Sequence, residues 1–232
     1  MVCPVCLGTG LRLELECGWC RGLGVDRKLS KEELVGFIEK QATSQGFKIE
    51  MVDAPKVHTN GVECSAFFCY QTRSLTVAKH SVNFFENLVH EFCHLRQFSH
   101  GRPAWKNSLV DGEDACVVVD DFLNGLMTDR ARLARAIDKT IELEWDCEQM
   151  AHSYLSMVDG YTDDQLKTQQ INAFIYMRFY RAVQEFGRWY EPGKDFHVMG
   201  IHHEYAEKIE TLPSYNAPIL QEEIDVFKKC FE

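Results

Sequence analysis

The sequence predicts an α+β fold over residues 28–232, behind a small module over residues 1–27. Three observations carry that reading. Four of the 10 cysteines fall in the first 20 residues. Strand-like runs gather between residues 47 and 79, and amphipathic helical stretches dominate from residue 84 onward. The 232 residues are 45% hydrophobic and 26% charged, the composition of a chain that can bury a core. The formal net charge of -10 argues against nucleic acid or an anionic membrane as the main partner. No apolar run approaches 18 residues, and the opening Met1-Val2-Cys3-Pro4 lacks the order of a signal peptide. Many cysteines without such a signal point to metal ligation or buried thiols in a reducing, cytoplasmic compartment.

The first element is a cysteine hairpin. Cys3-Pro4-Val5-Cys6-Leu7-Gly8-Thr9-Gly10 and Cys17-Gly18-Trp19-Cys20-Arg21-Gly22-Leu23-Gly24 are two copies of C-x-x-C-x-G-x-G. Each C-x-x-C turn aims two thiolates at one ion, and two turns complete a closed tetrahedral zinc site. Leu11 to Glu16 alternates apolar and charged residues, as a short hairpin strand does. A unit this small cannot bury enough core to stand alone, so the metal would supply its folding free energy. The repeat resembles the cysteine-rich zinc module of DnaJ-type chaperones over the first 24 or so residues. With two of the four repeats typical of that module, the resemblance implies a zinc-bound hairpin and no chaperone activity.

Ser30-Lys31-Glu32-Glu33 is a capping box that opens a helix over about residues 31–45. Strands are expected at Phe47–Val52, Cys64–Gln71 and Leu75–Lys79, the last two joined by a hairpin at Thr72-Arg73-Ser74. Residues 84–98 repeat apolar side chains at helical spacing (Phe84, Leu88, Phe92, Leu95) and contain His90-Glu91-Phe92-Cys93-His94, an H-E-x-x-H. Two histidines four residues apart share a helix face and can reach one ion. Glu91, one step round, is placed to act as general base. A helix, then strands, then an H-E-x-x-H helix is the element order of zincin metallopeptidases, which this stretch resembles.

A catalytic zinc needs a third protein ligand. Residues 129–158 read as one long helix, and four acids crowd Glu142, Glu144, Asp146 and Glu148. Glu144, Cys147, Glu148, Ala151, Leu155 and Val158 share one stripe, which is otherwise apolar. A carboxylate on such a stripe is costly unless it is paired or binds metal. Glu144 as ligand with Glu148 behind it is similar to the gluzincin arrangement. His100 is the second candidate, followed by Asp146 or Glu148. Its spacing from His94 is that of metzincins, but Gln97 stands where those carry a turning glycine. His100-Gly101-Arg102-Pro103-Ala104-Trp105 also echoes a motif of SprT-like DNA-repair proteases, which have a longer gap before that histidine. Read plainly, His100 is a helix C-terminal histidine ahead of a Gly-x-Pro stop.

Together His90-Glu91-Phe92-Cys93-His94-x-x-Gln97, Trp105 and Glu144-x-Asp146-Cys147-Glu148-x-x-Ala151 resemble metallopeptidases encoded by tailed bacteriophages and some large DNA viruses. The resemblance covers roughly residues 75–160. It implies a gluzincin-like core and a phage-type origin, hence a host cytoplasm and a protein or peptide substrate, a host protein among the options. It names no substrate.

Among the remaining segments, Asp111–Gly125 reads as a loop over a cleft or a short buried strand around Ala115–Val119. Residues 163–190 read as an amphipathic core helix with solvated arginines at Arg178, Arg181 and Arg188. His197, His202, His203 and Tyr205 are candidates for holding an oxyanion. Cys93 and Cys147 are expected to pack as small apolar residues.

The functional expectation is a metallopeptidase with two zinc ions, one structural and one catalytic. Cys3, Cys6, Cys17 and Cys20 would hold the first, and His90, His94 and Glu144 the second. Water activated by the metal, with Glu91 as general base, would hydrolyse the peptide bond. The alternatives are a zinc-stabilised protein that binds or inhibits a host factor without catalysis, and a SprT-like DNA-associated protease.

Overall fold

The computed structural model describes residues 28–59, 62–191, 193–194, 196, 199–201 and 214–232. Cys3, Cys6, Cys17, Cys20 and the module they form lie outside the described residues, as do His197, His202, His203 and Tyr205. The fold is mixed α+β. Two compact units divide it: residues up to Ser99 together with Gln149–Leu166, and His100–Glu148 together with Lys167–Glu232.

In the first unit, helix α1 (Lys31–Ser44) begins at the expected capping box. Ser30 Oγ accepts from the Glu33 N–H at 3.2 Å, and the Glu33 carboxylate accepts from the Ser30 N–H at 2.9 Å. Leu34, Ile38 and Ala42 form its buried face. Strands β1 (Lys48–Val52), β4 (Ala66–Cys69) and β5 (Ser74–Ala78) form one sheet in the order β1-β5-β4. β5 is parallel to β1 and antiparallel to β4, and it is buried along its whole length, as a central strand must be. The expected turn between β4 and β5 is present. Arg73 takes a positive φ of 52° there, and its guanidinium donates to the Gln45 carbonyl at 3.0 Å.

A single strand over Cys64–Gln71 is not what forms. β2 (Val57–Thr59) and β3 (Val62–Cys64) make a separate antiparallel hairpin, and the chain changes sheet at Ser65. The Ser65 carbonyl accepts from the Ala78 N–H at 2.9 Å, while its hydroxyl is reached by Lys56 Nζ at 3.2 Å. Helix α2 (Phe84–His100) lays Leu88, Val89, Phe92 and Leu95 into the core. The Phe92 ring meets Phe37 of α1 edge-on at 5.9 Å and Tyr154 at 5.5 Å. Tyr154 belongs to the last turns of helix α5 (Arg130–Leu155), close to the expected 129–158. Leu29 exchanges backbone hydrogen bonds with Met157 and Asp159, tying the entrance of α1 to the chain leaving α5.

In the second unit, helix α3 (Pro103–Lys106) leads to a two-residue ladder of β6 (Leu109–Val110) and β7 (Glu113–Asp114). Asp114 then caps helix α4 (Ala115–Leu123), its carboxylate accepting from the Cys116 N–H at 3.0 Å. This corrects the expected loop or strand around Ala115–Val119. The valines favour a strand in isolation, but a cap and packing at helical spacing prevail. Ala115, Val118, Val119 and Phe122 pack with Leu133, Ala136, Ile137 and Ile141 of α5.

Helix α6 (Asp163–Phe186) and helix α7 (Gln221–Phe231) bury a second cluster around Phe179, Phe227 and Phe231. The arginines of α6 correct the expectation of a solvated set. Arg178 is fully buried, and Arg181 nearly so. Arg178 forms a bidentate pair with Glu223 of α7 at 2.7 and 2.5 Å and also donates to the carbonyls of Ala217 and Pro218. Arg181 donates to the Asn216 carbonyl at 2.8 Å and pairs with Asp138 of α5 at 2.6 Å. Burial is tolerated because each charge is matched and hydrogen-bonded. Arg188, beyond the end of α6, is exposed as expected. No helix among the described residues is long and apolar enough to cross a membrane.

Candidate metal centre

The H-E-x-x-H lies in the middle of α2, where the helix is buried on most of its circumference. One turn separates His90 from His94, so the two rings stand one above the other, with centroids 4.8 Å apart. Their Nε2 atoms approach to 3.2 Å. Two imidazole nitrogens bound tetrahedrally to one zinc, each about 2.05 Å from it, would lie about 3.3 Å apart. The pair therefore has the separation that a shared zinc ion requires. His94 is further fixed on its other side, where Nδ1 meets Gln97 Oε1 at 2.8 Å.

Glu91 lies on the same helix and is 8% exposed. Its carboxylate acts on Cys64 of β3. Burial, with the Glu91 charge adding to it, pushes that thiol up to about 11.

Helix α5 carries the remaining candidates, and its phase is the expected one. Glu144, Cys147, Ala151, Leu155 and Val158 are all buried, while Glu142 and Gln149 are exposed. Glu144 is 7% exposed. Within its own unit it stands among α4 and α6: burial first, and the Glu144 charge next, hold the Tyr180 hydroxyl well above its ordinary value. The Cys116 thiol is raised too, by burial, then by Asp114 and Glu144. The Tyr180 hydroxyl also meets that of Tyr176 at 2.9 Å.

Asp146 is occupied otherwise. Arg102 grips it bidentately at 2.8 and 2.5 Å, which removes it as a natural metal ligand. Glu148 accepts from Gln169 Nε2 at 2.6 Å. His100 is exposed and ends α2. Six residues beyond His94 is roughly 240° round the helix, so its ring leaves the face that His90 and His94 share. Gly101 follows with φ 54°, the turn that ends the helix, while Gln97 stays inside it.

Sequence reasoning gives Cys147 no chemical role. It is fully buried on the Glu144–Ala151 stripe of α5, a position that suits a small apolar residue and a thiolate ligand equally.

No protein-family model, curated protein or solved structure matches the chain.

Proposed function

We propose that the chain is a zinc-dependent peptidase with a zincin-like, gluzincin-type centre. The observation that carries this reading is the His90–His94 pair, with Nε2 atoms 3.2 Å apart on a helix that also buries Glu91. His90 and His94 would hold the ion. Glu144 is the proposed third ligand, and Cys147, three residues along the same buried face of α5, competes with it for that role. When bound, zinc supplies a Lewis acid that polarises a scissile carbonyl and acidifies water. Glu91 takes a proton from the attacking water and passes it to the leaving amine. The acidic chain supports a protein or peptide substrate over a nucleic acid. A second, structural zinc belongs to Cys3, Cys6, Cys17 and Cys20, on the strength of the repeated C-x-x-C-x-G-x-G.

The test is proteolysis of an unfolded protein substrate by wild type and Glu91→Gln, beside their metal content. Loss of cleavage with metal retained supports the reading. Equal activity removes Glu91 from the mechanism and the peptidase with it.

The thiol favours a second reading. If Glu144 and Cys147 both ligated with the two histidines, all four tetrahedral positions would be taken and the site would be closed, as structural zinc sites are. The chain would then be a zinc-stabilised binding protein. Cys147→Ser separates the two: it leaves activity standing in a peptidase that uses Glu144, and unfolds a protein whose zinc is structural.

A further inference from the structure

We propose that Gln97 is a positioning residue that decides which ring nitrogen of His94 faces the metal. This inference rests on the reading of His90 and His94 as metal ligands. A neutral imidazole carries one N–H, and only the other nitrogen has a lone pair to give. Gln97 stands three residues beyond His94, on the same helix face. Its Oε1 lies 2.8 Å from His94 Nδ1 and accepts the hydrogen bond of an Nδ1–H. That leaves the lone pair on Nε2, the atom that stands 3.2 Å from Nε2 of His90. The amide is fully buried, so water does not compete for the Nδ1 proton. Ring orientation and tautomer are thus set from within one helix, before any ion arrives.

The choice of an amide has a consequence. A carboxylate in this place would make the imidazole a stronger donor and add a negative charge, tightening metal binding while blunting the ion as a Lewis acid. Gln97 orients His94 as a carboxylate would, without that charge. The two roles of the side chain, orienting and tuning, can therefore be pulled apart by substitution.

The experiment titrates the full chain with zinc against a chromogenic chelator, and with cobalt(II) by visible absorption. His90→Ala/His94→Ala serves as the blank that retains the four-cysteine module. Removing the acceptor in Gln97→Leu is expected to weaken the helical site by about 10- to 100-fold and to alter its cobalt band. Gln97→Glu, which keeps an acceptor, is expected to bind within about threefold of wild type or tighter. If Gln97→Leu misfolds by circular dichroism, Gln97→Asn, which withdraws the amide by one methylene, takes its place with the same expected weakening. Equal weakening by the Glu and the Leu (or Asn) variants would reveal a packing role and overturn the proposal. Unchanged binding in the Leu or Asn variant would overturn it too, leaving the metal reading intact. Wild type that takes up no more metal than the blank would overturn both.

Discussion

Two buried polar centres in this molecule invite comparison. On α2, His90, His94 and Gln97 converge within eight residues, and two Nε2 atoms are brought face to face. On α6 and α7, Arg178 and Glu223 converge from 45 residues apart, and the guanidinium also donates to surrounding carbonyls. The Arg178 centre is complete: opposite charges meet and the remaining donors have acceptors, so it holds α7 in place and asks for nothing further. The α2 centre brings two imidazole Nε2 atoms within hydrogen-bonding distance, and a cation held by both would replace that contact. The difference separates an ion pair complete in itself from a histidine pair proposed to hold an ion.

The largest expected effect breaks the α2 centre. Glu91→Gln should lower peptide hydrolysis by at least about 100-fold while metal content stays at the wild-type level. Retained hydrolysis would move the α2 centre into the same structural class as the Arg178 pair. Next comes that pair itself. Arg178→Met, which leaves Glu223 buried without its partner, should cost about 3–5 kcal/mol in a urea unfolding experiment. Adding Glu223→Leu should recover much of that loss, because two apolar groups replace two charges. If the double variant recovers nothing, the packing of α7 rather than charge matching explains the effect. Neither change should touch metal affinity.

Smaller effects sharpen the surroundings of each centre. Ser30→Ala removes the α1 cap and should cost about 1 kcal/mol, read from the same urea curves. The thiol of Cys64, raised by burial and by Glu91, gives a pH signature. Its folded value of about 11 lies above the 9.0 of an ordinary thiol. Below pH 9 both states keep the proton, and its contribution is fully present. As pH rises from 9 through 11 the unfolded state loses the proton first, and stability falls. Cys64→Ser should flatten that descent, and an unchanged pH profile would show that burial does not hold the thiol protonated.

What was legible in the sequence follows from how local each feature is. The capping box of α1, the H-E-x-x-H face of α2 and the buried stripe of α5 rest on spacings of three and four residues, and each formed as expected. The solvated state of Glu142 followed from the same phase. Features set by distant partners were misread. Arg178 looks like a surface residue until Glu223 is folded against it, and Ala115–Val119 looks like a strand until α5 is there to pack on. Ser65 marks where pairing passes from β2 to β5, a switch set by the distant partners. At the candidate metal centre the histidines stand out by their spacing, whereas type and spacing alone do not tell Cys147 from a core residue.

The most direct measurement is metal content per purified chain, wild type beside His90→Ala/His94→Ala. One more zinc ion is expected in wild type than in the double variant, with the cysteine module loaded in both. Equal content in the two proteins would contradict the claim that the α2 pair is a metal centre.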